Sequence, residues 1–582
     1  MDYETKILPH LGGYGRYNRV VVIFSWFPAF AVTLNLFSGH FFTLIPDTYH
    51  CRPDPSLLPS TLLPSNFSEQ SYLNLTIPWD GNSGLSHCEL FKYPPNVSDL
   101  SGKVPRERVS CTRGWEYSTV AGLQSNIVTD QMDGVYILIN AWACLLTSAP
   151  PLQWDLVCND YWKIPLQHIC FMVGWIVGYI FLGTLCDWLG RQRGFLLSVG
   201  LSSLCGVIVC LSRSLVAFLL ILLFNAVLVR VCLLSGLELC DPPNRLMVAM
   251  VGGFVSVSAE LLLPGLAVLC RDWPVLQAVA TVPLLLLLSY WCCASVFPES
   301  PRWLLATDQI PKAKKSFQEF ASRNGVYLQD ETFPTVLAEL DSTYGEDCRP
   351  RFYSVLELRR TRVIWKNCLI LSFTLFIGTG IQYCFTRNLL NYSKNFYFTY
   401  FLRVITGALA CIFICLSVNH FGRRGMLLLS AIITGLSSLL LLALTQCKLT
   451  RPTFLTVTVF SVTDLHDGLV LVLSVVGLLF SQALSMLSAF FACEVMPTVV
   501  RGGCLGLVLA AGCVGMAASS LMELQSSSGY FLHHVIFASF AVLSVLCIML
   551  LPESKRKSLP DSLKEGESQR RPPLFLSRYR AL

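Results

Sequence analysis

The chain has 582 residues, of which 53% are hydrophobic and only 14% charged, with a net charge of +6. Soluble domains carry about 25% charged residues, so a mean hydropathy of +0.55 excludes an ordinary water-soluble enzyme and predicts a multi-pass membrane protein. The positive balance does not imply nucleic acid, because much of it gathers in a tail (Lys555, Arg556, Lys557, Arg570, Arg571, Arg578 and Arg580) beside an apolar run, as a cytoplasmic tail near anionic lipid would.

Residues 1–19 are polar and precede a first apolar run at 20–42, which is too long for the apolar core of a signal peptide. Residues 43–163 are then mostly polar. They hold glycosylation sequons at Asn66, Asn74 and Asn96 and four cysteines, Cys51, Cys88, Cys111 and Cys158. Clustered sequons with an even number of cysteines between membrane spans predict a glycosylated, disulfide-bonded extracellular loop. The pairing stays open. Most of the other cysteines lie inside apolar runs, as small hydrophobes. The apolar part of 130–151 is too short for a span, and a crossing there would turn the later basic loops outward. It is expected as an interfacial or packed segment of the loop, inserted in otherwise continuous sequence.

Runs of about 20 apolar residues, enough to cross a membrane as a helix, follow near 164–185, 194–212, 215–237, 246–269 and 275–297. They form an N-terminal bundle over 164–297 together with the first run. A charged cytoplasmic segment, 298–362, contains an amphipathic helix over 311–320. Further spans are expected near 364–385, 395–418, 425–444, 468–492, 502–522 and 530–551, within a C-terminal bundle over 363–551. An outward loop lies at 447–467 and a cytoplasmic tail at 552–582. The expectation is an all-α membrane protein with twelve spans and both ends cytoplasmic, where the basic short loops belong.

One loop organises this pattern: Gly183-Thr184-Leu185-Cys186-Asp187-Trp188-Leu189-Gly190-Arg191-Gln192-Arg193. A partial copy, Asn419-His420-Phe421-Gly422-Arg423-Arg424, lies between two later apolar runs. Such a repeat points to a transporter built from two related halves. Pro298-Glu299-Ser300-Pro301-Arg302-Trp303-Leu304 follows the sixth span, Glu494 to Arg501 the tenth, and Leu551-Pro552-Glu553-Ser554 the twelfth. Cys111-Thr112-Arg113-Gly114-Trp115 and Trp154-Asp155-Leu156-Val157-Cys158 lie late in the large loop. As a set, these motifs resemble solute carrier family 22, the organic cation, anion and zwitterion transporters of the major facilitator superfamily. Glu238 to Arg245 and Gly529 to His534 are similar to its atypical branch, with members 17, 23 and 31.

The resemblance implies the major facilitator fold, with two six-helix bundles, alternating access, a small organic ion as substrate and a place in the plasma membrane. It also implies a gating latch. Asp187, Arg191, Arg193, Arg423 and Arg424 would supply it, with Glu299, Arg302, Glu494 and Arg501 as partners bridging the halves. The chain departs from the family where Trp188 stands for an arginine, Asn419 for an aspartate and Cys513 for a charged residue. Those losses support an alternative, a non-transporting receptor or scaffold with an extracellular protein ligand.

Charges inside spans are costly and tend to be paired or functional. Arg230, Glu260 and Arg403 are the candidates for substrate contact, with Tyr383 as an aromatic. Arg230 and Glu260 lie on consecutive helices and are expected to neutralise each other. Arg403 meets no acidic residue in the second-half spans and is expected to face an anionic group. Phe385, Phe490 and Phe491 are further aromatics for a cavity wall. The chain has no G-x-x-x-x-G-K-[ST] loop, and His533-His534 lacks metal-ligand spacing. No ATP drive, catalytic centre, cofactor or metal is expected.

Overall fold

The computed structural model describes residues 3–11, 15–42, 49–57, 69–80, 84–93, 107–117, 158, 163–211, 237–270, 273–291, 298–325, 351–393, 395–449, 459–525, 530–555 and 557–568. They fall into two compact units, one of Met1–Phe37, Gln167–Pro264 and Gln277–Leu582, the other of Ser38–Leu166 and Gly265–Leu276. The apolar run at 130–151, Arg230, Asn66 and Asn96 lie outside the described residues.

The first unit is helical. Its first-half helices are α1 (Arg16–Phe37), α2 (Lys163–Leu189), α3 (Arg191–Leu211), α4 (Arg245–Cys270) and α5 (Trp273–Leu287). Two short helices follow, α6 (Pro301–Ala306) and α7 (Ile310–Arg323). The second half has α8 (Arg362–Tyr392), α9 (Phe396–Leu449), α10 (Val459–Val495), α11 (Arg501–Gln525) and α12 (Tyr530–Ile548), and α13 (Leu563–Ser568) closes it. Among the described residues, nine helices are long and apolar enough to cross a membrane. One of these, α9, is two limbs joined at Gly422, whose φ of +80° interrupts the helix. In lipid the backbone must satisfy its own polar groups, which favours continuous helix. That fits the reach of α9 to Leu449 and of α10 back to Val459, both inside the stretch expected as an outward loop.

Leu371, Leu375, Ile414, Leu484, Leu487 and Val508 are buried together in the second half. Leu416, Leu436, Leu440, Val542 and Leu546 are exposed. Large apolar side chains exposed in such numbers would be a liability in water and suit contact with acyl chains. Helix α7 is different. Ile310, Ala313, Phe317, Phe320 and Ala321 recur at helical spacing and are buried, while Lys312 and Lys315 point outward. Its apolar face packs on Tyr3, Ile7, Leu8 and Trp303.

The second unit is built on three two-stranded antiparallel ladders. Tyr49–Cys51 pairs with Trp115–Tyr117, Trp79–Asp80 with Gly84–Leu85, and Glu89–Lys92 with Glu107–Ser110. Its apolar centre is small, with Cys51, Ile77 and Leu90 buried, so covalent links matter to it. Cys51 bonds Cys111 and Cys88 bonds Cys158, which answers the pairing that spacing left open. Asn74 is exposed on a short helix, Glu69–Thr76.

Candidate functional site: an ionic clasp and an internal ion pair

The clasp begins at a turn. Gly190, at φ +99°, carries the chain from α2 into α3, and a Cβ there would overlap the Glu299 carboxylate. Glu299 accepts the N–H of Arg191 at 2.7 Å and of Gln192 at 3.3 Å. A carboxylate at a helix N-terminus satisfies orphan N–H groups and meets the positive end of the dipole. The second half repeats this device at Gly422, where Glu553 accepts the N–H of Arg423 at 3.0 Å and of Arg424 at 3.1 Å. Glu299 therefore caps a helix in its own half and does not bridge the halves.

Arg191 is fully buried and well partnered. It bonds Asp187 at 2.8 Å, Glu238 at 3.0 Å, the Cys186 carbonyl at 2.9 Å and, from the second half, the Thr498 carbonyl at 3.0 Å. Asp187 accepts the N–H of Gly502 at 3.0 Å and of Gly503 at 2.8 Å, so a first-half carboxylate seats on the first turn of α11. Arg501 crosses the other way and donates to Glu238 at 2.9 Å. Ser300 also donates to Glu238, at 2.5 Å. Burial opposes ionisation of Glu238, but Arg191 and Arg501 on either side hold its carboxyl below the usual range.

Not every expected partner takes part across the halves. Glu494 stays within the second half, accepting Arg423 at 3.3 Å and Ser554 at 2.6 Å. Arg424 is buried and donates to the Met549 carbonyl. Arg302 donates to Asp561 and to the Leu559 carbonyl, both at 2.6 Å, and to Glu4. Arg193 is exposed and stands outside the network, because α3 turns its side chain away two residues beyond the buried Arg191. Glu4, Glu238, Arg245, Asp561 and Glu553 had no assigned role from the sequence. A signal for several was present: Pro-Glu-Ser recurs at 298–300 and 552–554, and a glutamate precedes an arginine by seven residues at Glu238/Arg245 and Glu494/Arg501.

The clasp is possible because α2 and α11 touch through backbone. A Cβ on Gly183 would overlap the Gly502 carbonyl, and one on Gly506 would overlap the Tyr179 carbonyl. Small residues at a membrane helix crossing allow this approach.

A second cluster lies away from the clasp. Arg403 of α9 bonds Glu260 of α4 at 2.9 Å, with side chains 20% and 15% exposed. At 1.5 Å per residue, Glu260 is about 22 Å along α4 from Arg245. The Phe37 and Tyr400 rings each lie 5.3 Å from the Arg403 guanidinium. Tyr400 donates to the Glu260 carbonyl at 2.8 Å, and Gln482 Nε2 to the Arg403 carbonyl at 3.0 Å. The buried Gln482 Oε1 has no hydrogen-bond partner. Glu260 thus pairs with Arg403, whose acidic partner comes from the opposite half; Arg230, the expected partner of Glu260, lies outside the described residues. Sequence order concealed the pair because 143 residues separate the two. Tyr383 is half-buried on α8. Phe385, Phe490 and Phe491 are buried in apolar cores. Among the described residues no group of His, Cys, Asp and Glu is arranged to hold a metal ion.

Residues 246–562 match the family described as "Sugar (and other) transporter". Solute carrier family 22 member 23 of Homo sapiens is 34% identical over 99% of this chain and 82% of its own length. Member 17 of Homo sapiens is 39% identical over 82% of this chain and 71% of its own. The chain belongs to solute carrier family 22. Its fold is that of the major facilitator superfamily. The proton:xylose symporter XylE bound to 6-bromo-6-deoxy-D-glucose superposes with a TM-score of 0.52 at 17% identity, over 74% of this chain and 94% of that one. The chain is thus a multi-pass membrane transporter of family 22. Its departures from the family now have surroundings. Trp188 is half-exposed and donates to the Tyr353 carbonyl at 3.3 Å. Asn419 is exposed. Cys513 of α11 is buried against first-half Ala31, Val32 and Trp175, so the interface there is apolar.

Proposed function

We propose that the chain carries small organic ions by alternating access between two six-helix halves, in twelve spans with the clasp on the cytoplasmic side, and that Glu260 and Arg403 belong to the substrate path. The observation that carries this reading is the Glu260–Arg403 pair itself. It joins one helix of each half, inside spans, and neither side chain is fully enclosed by protein. A buried pair is costly to break by removing one partner, at about 3–5 kcal/mol. A lone anion or cation would therefore strand the opposite charge. A zwitterion replaces both partners at once: its carboxylate meets Arg403, while its ammonium meets Glu260, the free Gln482 oxygen and the Phe37 and Tyr400 ring faces. The substrate reading is a short zwitterion such as an amino acid.

The test is saturable uptake of radiolabelled zwitterions, organic cations and organic anions into cells expressing the chain, beside Glu260→Gln and Arg403→Gln at matched surface level. Zwitterion uptake reduced at least about tenfold in both variants supports the site. Uptake of cations or anions alone, indifferent to both variants, refutes it. No uptake of any class would favour the receptor reading, with an extracellular protein as ligand.

A further inference from the structure

The clasp has an internal repeat, and the repeat is broken on one side. In each half a glutamate faces the arginine that follows a positive-φ glycine: Arg191 on Glu238 and Arg423 on Glu494. In each half a serine from Pro-Glu-Ser closes on that glutamate. In each half an arginine folds back to a carbonyl five residues earlier, Arg245 to Cys240 and Arg501 to Met496, both at 3.2 Å. Two cross-arms should follow from this symmetry, Arg501 to Glu238 and Arg245 to Glu494. The first is formed at 2.9 Å. The second is not closed to a hydrogen bond, because Arg245 turns to Glu4, and Glu494 acts on Arg245 only through its field.

Glu4 lies in the segment before α1, and its carboxylate is buried. One oxygen accepts from Arg245, from Arg302 and from the N–H of Leu559 at 2.9 Å. Two of these donors come from first-half elements; the third comes from the tail beyond α12. Arg302 extends the tie to the Leu559 carbonyl and to Asp561, and Thr498 donates to the Pro560 carbonyl at 2.9 Å. The segment itself is anchored. The Tyr3 ring lies 5.4 Å from the Arg302 guanidinium, and Tyr3, Ile7 and Leu8 are buried with Trp303, Leu304 and Phe317.

We infer that Glu4 is a positioning residue of the clasp: the N-terminal segment supplies the acidic cross-arm that the second half does not, and ties Arg245 and Arg302 to the C-terminal tail. The inference rests on the reading of this end as the closing end. Removing the Glu4 charge leaves the buried Arg245 without an ion-pair partner at contact distance, with Glu494 acting on it only from further off, and leaves Arg302 with Asp561 alone; unpairing a buried charge is costlier than the loss of a surface pair. The closed end then loosens from its terminal side while Asp187 and Arg501 remain in place.

Cys513 reports the gap, since it sits on α11 and is buried against first-half side chains. Full-length protein in inside-out vesicles is treated with N-ethylmaleimide, and labelling at Cys513 is read by mass spectrometry. Glu4→Gln is expected to raise the rate about tenfold or more, and Glu4→Asp to restore most of the wild-type rate. Asp187→Asn serves as the comparison. A wild-type rate in Glu4→Gln with a raised rate in Asp187→Asn overturns the role of Glu4 and leaves the clasp standing. Wild-type rates in both overturn the clasp and this inference with it. If Glu4→Gln does not accumulate, Tyr3→Ala unseats the segment without touching an ion pair. A raised rate supports the inference, and an unchanged rate overturns it.

Discussion

At the scale of single residues, the clasp is a set of carboxylates each given more donors than one partner supplies. Asp187 takes Arg191 and two backbone N–H groups at the start of α11. Asp187→Asn keeps the size and removes the charge, leaving the Arg191 guanidinium with Glu238 as its ion-pair partner. The expected outcome is lower surface expression and faster Cys513 labelling, and a wild-type labelling rate speaks against the clasp. Acid sensitivity follows from Glu4 and Glu238. Burial opposes ionisation of both, yet Arg302 and Arg245 beside Glu4, and Arg191 and Arg501 beside Glu238, hold each carboxyl below its usual range. A depressed folded value means their stabilisation is fully present above the unfolded value of about 4.3 and is lost only as pH falls through the lower folded value. Burial raises the Asp187 carboxyl to about 6, with Arg191 and the Gly502 and Gly503 N–H groups opposing the rise, so Cys513 labelling should stay flat between about pH 8 and pH 7; opening in that window would show that another group controls the clasp.

At the scale of elements, two contacts decide how the helices meet. The α2–α11 crossing depends on glycine, because the backbones touch at Gly183–Gly502 and Gly506–Tyr179. Gly506→Leu places a side chain where the Tyr179 carbonyl stands. Overpacking of this sort costs about 1–3 kcal/mol, occasionally more. Faster Cys513 labelling is the expected result, with Gly468→Ala, which meets nothing within 4 Å, as the silent comparison. In the second unit, the Cys88–Cys158 link closes a separation of 70 residues over a small core. Losing a native disulfide from a small extracellular domain costs about 2–5 kcal/mol. Cys88→Ser should therefore leave the protein retained with immature glycans, read by sensitivity to endoglycosidase H; wild-type maturation would make the link dispensable. The elements themselves were largely legible from apolar runs. Their ends were not: α9 reaches Leu449 and α10 begins at Val459, beyond the apolar runs that predicted them.

At the scale of the whole molecule, the segment around Glu4, the stretch at Leu559–Asp561 and both halves meet in one charged cluster, and a second cluster joins the halves through Glu260 and Arg403. Of the latch residues read from the loops, Asp187, Arg191 and Arg501 cross between halves directly, and Arg302 reaches the C-terminal tail. Arg423, Arg424, Glu299 and Glu494 bind within their own half, and Arg193 is exposed. The amino-acid order by itself determined the class of molecule, most of the long apolar helices among the described residues and the two-fold repeat, because these depend on local apolarity and recurring short motifs. Only the tertiary structure decided who pairs with whom. A buried charge takes the nearest opposite charge in space, and Glu4 with Leu559, Asp187 with Gly503, and Glu260 with Arg403 are neighbours only once the halves have packed.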